Sequence, residues 1–178
     1  MTFIALLRAI NLGGRTSLGM ADLRLLCAGI GWRDVRTYIQ SGNVVFEAES
    51  GPAELEGELE AAMMKKWERD VPVLVRSVAE WGGYIAANPL ADLSAAEPSR
   101  TLLNLPKRPL LKGALDGLRT RAMDGETIAE ANGALWIHYP AGAGTTKLSP
   151  TLIARLAGSP VTARNWRTVL KLQEMAGG

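Results

Sequence analysis

The side chains of this 178-residue sequence that could act on a ligand are arginines and amides set among glycines. Asn11-Leu12-Gly13-Gly14-Arg15 follows an apolar run that ends at Arg8. Glycines there let backbone approach a ligand closely, and Arg15 offers a two-pronged fork for phosphate or carboxylate. Gln40-Ser41-Gly42-Asn43 adds short polar donors, in a spelling that equally suits plain hairpin chemistry. Near the C-terminus, Arg164-Asn165-Trp166-Arg167-Thr168 leads on to Lys171. Read as a helix, it sets Arg164, Arg167, Thr168 and Lys171 on one face, which suits an acidic ligand or a solvated, dipole-compensating surface. A fourth segment, Gly142-Ala143-Gly144-Thr145-Thr146-Lys147, has the strand-to-helix setting of a phosphate loop. It lacks the Gly-Lys-Ser/Thr spelling of nucleotide triphosphatases, so Lys147 is expected on a flexible loop.

Other chemistries are poorly served. One cysteine, Cys27, rules out an internal disulfide and fits a reducing compartment. With one histidine, His138, there is no Cys/His set for zinc, and a Ser-His-Asp site would have to use that residue. His138 sits in Leu135-Trp136-Ile137-His138-Tyr139, where alternation pairs it with Trp136 and predicts a packed, hydrogen-bonded ring. No metal and no cofactor is expected. The formal charge of +2 is uneven. From Lys147 onward, five basic residues face one acid, Glu174, a modest excess for a nucleic-acid binder. Open-sheet RNA binding also needs exposed aromatics on the middle strands, where only Phe3 and Phe46 stand among aliphatics, so nucleic acid is not the expected partner. No apolar run approaches the twenty residues of a membrane span, and the first stops at Arg8, so a cytoplasmic protein is expected.

The elements that must position these residues follow from periodicity. Phe3 to Leu7 is a buried strand, and Met20 to Ala28 a helix with Leu23, Leu26, Cys27 and Ile30 on one face. Strands at Val35 to Ile39 and Asn43 to Ala48 flank the hairpin. A helix opens at Gly51-Pro52 and runs to about Arg69, with Glu54, Glu56, Glu58 and Glu60 early and Lys65, Lys66 and Arg69 late, as the dipole prefers. Val73 to Val78 is a strand, followed by a helical stretch to Ala87. The Pro-, Ser- and Ala-rich residues 88–98 read as a linker. The order then repeats: a strand at Thr101 to Leu105, a helix at Pro109 to Thr120 with Leu111, Leu115 and Leu118 inward, and a hairpin across Asn132-Gly133. Ser149 caps and Pro150 begins a helix that ends near Gly158. Val161-Thr162 is at most a stub of strand, and Ala163 to Met175 a final helix.

The expected architecture is α+β: two ferredoxin-like βαββαβ-type subdomains, the second with an irregular last strand and an extra C-terminal helix. The boundaries are 1–87, a linker at 88–98, and 99–178. Phe3 to Leu7 and Val73 to Val75 do not alternate, so each sheet should be covered on both faces, one by helices and the other by the second half or another subunit. The topology also predicts that the loop after the first strand and the middle hairpin share one end of the sheet. That would bring Arg8, Asn11, Gly13, Gly14 and Arg15 beside Gln40, Ser41 and Asn43.

Leu6 to Gly14, Thr37 to Phe46 and Thr162 to Leu172 together closely resemble a bacterial domain-of-unknown-function family, number 1697. Here Ala9 stands where that family usually has Gly, and Thr146 where it usually has Ser. The resemblance implies two α+β subdomains, the first ferredoxin-like, and assigns no activity and no catalytic residue. The leading expectation is a binding module for a phosphate-bearing or other anionic small ligand. Its ligand-binding residues would be Arg8, Asn11, Gly13, Gly14, Arg15, Gln40, Ser41, Asn43, Lys147, Arg164, Asn165 and Lys171. Two alternatives stay open: a metal-independent enzyme using the same cleft, with His138 or Asp34 as base, and a homodimeric interaction module.

Overall fold

The structure is a computed structural model that describes residues 1–8, 10 and 18–177. Two compact units divide the chain: Met1–Gly82 with the C-terminal stretch from Leu172, and Gly83–Lys171.

In the first unit, β1 (Thr2–Leu7), α1 (Met20–Gly29), β2 (Arg33–Tyr38), β3 (Asn43–Glu47), α2 (Pro52–Trp67) and β4 (Val73–Ser77) follow in βαββαβ order. The antiparallel sheet runs β2-β3-β1-β4. β1 lies at its centre because its side chains are apolar on both faces. Phe3, Ala5 and Leu7 pack with Leu23 and Cys27 of α1 and Leu55, Leu59 and Met63 of α2, while Ile4 and Leu6 on the opposite face are 0% and 1% exposed. Full burial of one such side chain contributes roughly 1.5–3 kcal/mol. Trp32 stacks flat on Phe46 at 3.6 Å between centroids.

The outer edges of this sheet are finished by side chains and a bulge. On β4, the outward amides of Val73, Val75 and Ser77 donate to the carboxylates of Glu60 (2.7 Å), Glu56 (2.9 Å) and Glu80 (2.8 Å). An edge strand covered in this way has no free amide row to template another strand. At the opposite edge, the register of β2 slips between Arg33 and Arg36, where Asp34 has φ +47°. Such a bulge re-aims the strand.

The helix α3 (Val78–Ala86) follows β4 directly, and α4 (Ala91–Ala96) lies within the stretch read as a linker. Ser94 of α4 is fully buried and accepts from Asn88 at 2.9 Å. The second unit then repeats the plan. Its elements are β5 (Thr101–Pro106), α5 (Ala114–Arg119), β6 (Thr127–Ala131), β7 (Ala134–His138), α6 (Pro150–Ala157), β8 (Val161–Asn165) and the start of α7 (Trp166–Met175), whose end from Leu172 belongs to the first unit. The sheet order β6-β7-β5-β8 matches the first unit strand for strand. Leu118, Leu135, Ile137, Tyr139 and Ile153 fill its helix-side core. Ser149 caps α6 by accepting from the amide of Leu152 at 3.2 Å.

Two expectations for this unit are corrected. The last strand is regular, pairing with β5 from Leu102↔Asn165 to Pro106↔Val161. The final helix accordingly begins at Trp166, not Ala163. The helix expected from Pro109 begins only at Ala114, because Gly113 precedes it at φ +84° and residues 107–111 are held by other bonds. The amides of Lys107 and Leu111 donate to Pro160 and Ala157. Leu111 is therefore 57% exposed rather than inward, and it lies over Gly158. At φ +83°, a Cβ on Gly158 would meet Leu111 at 2.4 Å, so only glycine fits.

Candidate functional site

At the hairpin end of the first unit, the amide of Leu7 donates to the carbonyl of Gly42 at 2.8 Å, tying the end of β1 to the turn between β2 and β3. Gly42 is required here: it has φ +74°, and a Cβ would fall 2.6 Å from Ile10 and 2.7 Å from Leu7. Asn43 is fully buried. Its Nδ2 donates to the carbonyl of Tyr38 and to Ser41 Oγ, each at 3.0 Å, so the amide builds the turn rather than facing a ligand. Ile39 adopts φ +50° in this turn, a conformation that β-branched side chains resist, and its side chain is half exposed. Gln40 is exposed and Ser41 half-buried. Half-buried Arg8 is anchored by its amide to the carbonyl of Pro72 at 2.9 Å. Arg8, Gln40, Ser41 and Asn43 thus share one end of the sheet. Asn11, Gly13, Gly14 and Arg15 lie outside the described residues. The negative end that α1 wants in its first turn is supplied by Asp22.

In the second unit, Lys147 is exposed on the loop before α6, and Lys171 is half-buried on α7. Arg164 and Asn165 are not on a helix. They end β8, so the basic face built from Arg164, Arg167, Thr168 and Lys171 does not form. Asn165 instead caps α7, its Oδ1 accepting from the amide of Thr168 at 3.0 Å. The side chain of Arg164 donates from Nη1 to the carbonyl of Ala163 at 2.8 Å. Burial pushes its guanidinium down to about 10, still a cation at neutral pH.

Strand register shows what surrounds that arginine. Leu103 of β5 pairs with both Arg164 and Trp136, and Leu105 pairs with Thr162. Directly paired residues point to the same side, so Arg164, Thr162 and Trp136 share the face of the sheet opposite the core that α5 and α6 cover. Trp136 Nε1 and Thr162 Oγ1 are buried there without hydrogen-bond partners among the described residues, which is uncommon for buried polar atoms. Trp166 meets Trp136 edge-on at 5.6 Å. Sequence reading did not single out Trp136 or Thr162 as site residues, because only the register places them beside Arg164.

His138 is buried as expected, its Nε2 lying 2.5 Å from Glu97 Oε2. Cys27 is buried and its thiol is pushed up to about 12 by desolvation, so it is inert in the native state. Among the described residues no group of three His, Cys, Asp or Glu could hold a metal ion, and no helix is long and apolar enough to cross a membrane.

Two four-stranded antiparallel sheets of identical order, each backed by helices, define an α+β protein of two ferredoxin-like units. The chain belongs to the family described as protein of unknown function (DUF1697), whose profile matches residues 1–136. It is similar in fold to the solved structure of the conserved bacterial protein SP0830 from Streptococcus pneumoniae. That likeness has a TM-score of 0.78 at 21% identity and covers 98% of each chain. Among curated proteins, none matches.

Proposed function

We propose that this protein is a binding module for a small anionic ligand, with Arg164 as its principal anion contact. The observation that carries the reading is the composition of one sheet face. A desolvated guanidinium lies there with two buried donors, Trp136 Nε1–H and the Thr162 hydroxyl, that have no hydrogen-bond partner among the described residues. Desolvation strengthens the pull of a cation on an anion, and a phosphate or carboxylate is the acceptor that each of these donors suits. Arg8, Gln40 and Ser41 form a second polar cluster, in the first unit, that suits the same ligand class.

The test is a thermal-shift screen of the wild type, Arg164→Gln and Thr162→Val against inorganic phosphate, nucleotides, sugar phosphates, short RNA and small acids. An anion at about a hundred times its Kd should stabilise the wild type by roughly 2.7 kcal/mol, a shift of several degrees. Arg164→Gln should lose the shift and Thr162→Val should reduce it. The pH dependence has a definite sign. A base whose folded value is lowered costs stability while protonated, and that cost is relieved as pH rises above about 10. An anion needs the charged form, so its effect should hold at neutral pH and fade as pH passes about 10. A wild type indifferent to every anion, or an equal shift in Arg164→Gln, would overturn the reading.

A further inference from the structure

We propose that the α1 side of the first unit docks an acidic amphipathic helix of a partner protein. α1 forms a ridge between two open grooves. The groove toward α2 has a volume of about 470 Å³, with half-buried Leu26, Ile30 and Ala62 as its floor and exposed Leu25, Lys65 and Lys66 at its rim. The groove toward β2 has about 460 Å³, with Ala21, Ala28 and Trp32 beside Arg24 and Asp34. Leu25 lines both and is 67% exposed. Both grooves reach the volume of small-ligand sites, but they are open along the helix, which suits an elongated occupant.

Charge selects the kind of occupant. The last turns of α2, Ala61 to Trp67, carry Lys65 and Lys66 and no acid. Glu58, one turn earlier, accepts from the indole of Trp32 at 3.3 Å. On the other side, Asp34 is paired with Arg36 at 3.1 Å. The α2 groove is therefore apolar below and cationic at the rim, and its complement is an apolar stripe flanked by carboxylates. A strand is the poorer complement, because the outward amides of β4 are occupied and β2 is bulged. An incoming helix instead finds small residues, Ala21 and Ala28, on either side of Leu25, which can enter the space between its side chains as a knob.

The test titrates the full-length, isotope-labelled protein with a synthetic helical peptide of about 18 residues, five turns. The peptide carries leucines at i, i+3, i+4 and i+7 spacing and glutamates elsewhere, and a control has lysine for each glutamate. The expected result is amide shifts confined to the two groove linings. The acidic peptide should bind about tenfold more tightly than the basic one, a gap that narrows as salt shortens the screening length. Leu25→Asp should weaken binding about tenfold, as loss of a central anchor does. Leu25 is exposed, so an unchanged melting temperature checks that this variant folds. Lys65→Glu with Lys66→Glu should reverse the preference between peptides. Four results would overturn the proposal: shifts elsewhere or none, a preference for the basic peptide, displacement of the peptide by phosphatidylglycerol vesicles, or concentration-dependent shifts of the same amides without peptide. The last two would assign the surface to lipid or to a second copy of this chain.

Discussion

β4 and β8 occupy the same place in their sheets, and each runs straight into a helix through a residue that caps it. In the first unit the cap is Ser77, in a reciprocal box with Glu80: the Glu80 amide donates to Ser77 Oγ at 3.2 Å, and the Ser77 amide to Glu80 at 2.8 Å. In the second it is Asn165. The residue before the cap is arginine in both, and both guanidiniums donate to the preceding carbonyl, Arg76 to Val75 at 2.7 Å and Arg164 to Ala163 at 2.8 Å. The difference lies in the helix packed behind. α2 sends Glu56 to Arg76 at 3.2 Å, and the same carboxylate closes the strand edge. α6, from Pro150 to Ala157, contains no acidic residue. One repeated feature has therefore been finished in two ways: with a carboxylate sent from the helix behind in the first unit, and in the second beside two buried donors that have no hydrogen-bond partner among the described residues.

The sharpest way to break this comparison is to remove the carboxylate. Glu56→Ala leaves Arg76 and the Val75 amide without that partner, where both members of the ion pair are mostly buried. Losing one member of a buried pair costs roughly 3–5 kcal/mol, to be read as a lower midpoint in urea. Glu56→Gln, which can still accept from the amide, should cost less. Cys27 gives a local readout. It is the sole thiol, sits in the same core and is pushed up to about 12 by burial. Alkylation in the native state therefore reports opening of the first unit and should accelerate in Glu56→Ala. If the midpoint and the labelling rate both stay put, Glu56 does not hold the edge.

Why Glu56 was missed shows where sequence reading stops. The run Glu54, Glu56, Glu58 and Glu60 reads as dipole compensation, a sound local reason for acids early in a helix. The bonds from Glu56 and Glu60 to β4 reach 19 and 13 residues along the chain, and only strand order makes β4 an edge. Strand and helix order was legible because apolar runs and punctuation agree, as in Ser149-Pro150 and Asn132-Gly133. Arg164 was legible as a candidate but not its setting. Helical spacing from Ala163 onward is real in Trp166 to Met175, while Val161 to Asn165 pairs with β5 instead, and a five-residue strand is too short to outvote its neighbour's periodicity. Leu111 failed for the opposite reason: its spacing is helical, but the main chain there is tied to the end of α6.

Cap removal sharpens the comparison at lower cost. Ser77→Ala and Asn165→Ala should each lose about 1 kcal/mol in thermal or urea unfolding. The Ser77 variant should lose somewhat more, because its hydroxyl also donates to Glu80 at 2.8 Å. Glycine at either position should recover most of the loss, the signature of a cap rather than a packing contact. Equal stability of the wild type and both alanine variants would mean that packing of α3 and α7, not capping, sets where the two last strands end.

The smallest effect belongs to Glu97, at the end of α4. Its carboxylate lies 2.5 Å from His138 Nε2 and 2.9 Å from Arg100 Nη1. The hydrogen bond to His138 is the main influence holding its carboxyl below the ordinary value of 4.5, helped by Arg100. A carboxyl lowered in the folded state stabilises the protein above the unfolded value, and that contribution is lost as pH falls through the folded one. Glu97 is partly exposed, so solvent screens the pair and the effect stays small. Glu97→Gln should leave the acid side of the stability curve flatter below pH 4.5 than in the wild type, with the same small loss of stability at every pH above it. A parallel curve, displaced equally at every pH, would mean that Glu97 acts through its backbone instead. Its carbonyl, which accepts from the amides of Arg100 at 2.9 Å and Thr101 at 3.1 Å, would then be what sets the start of β5.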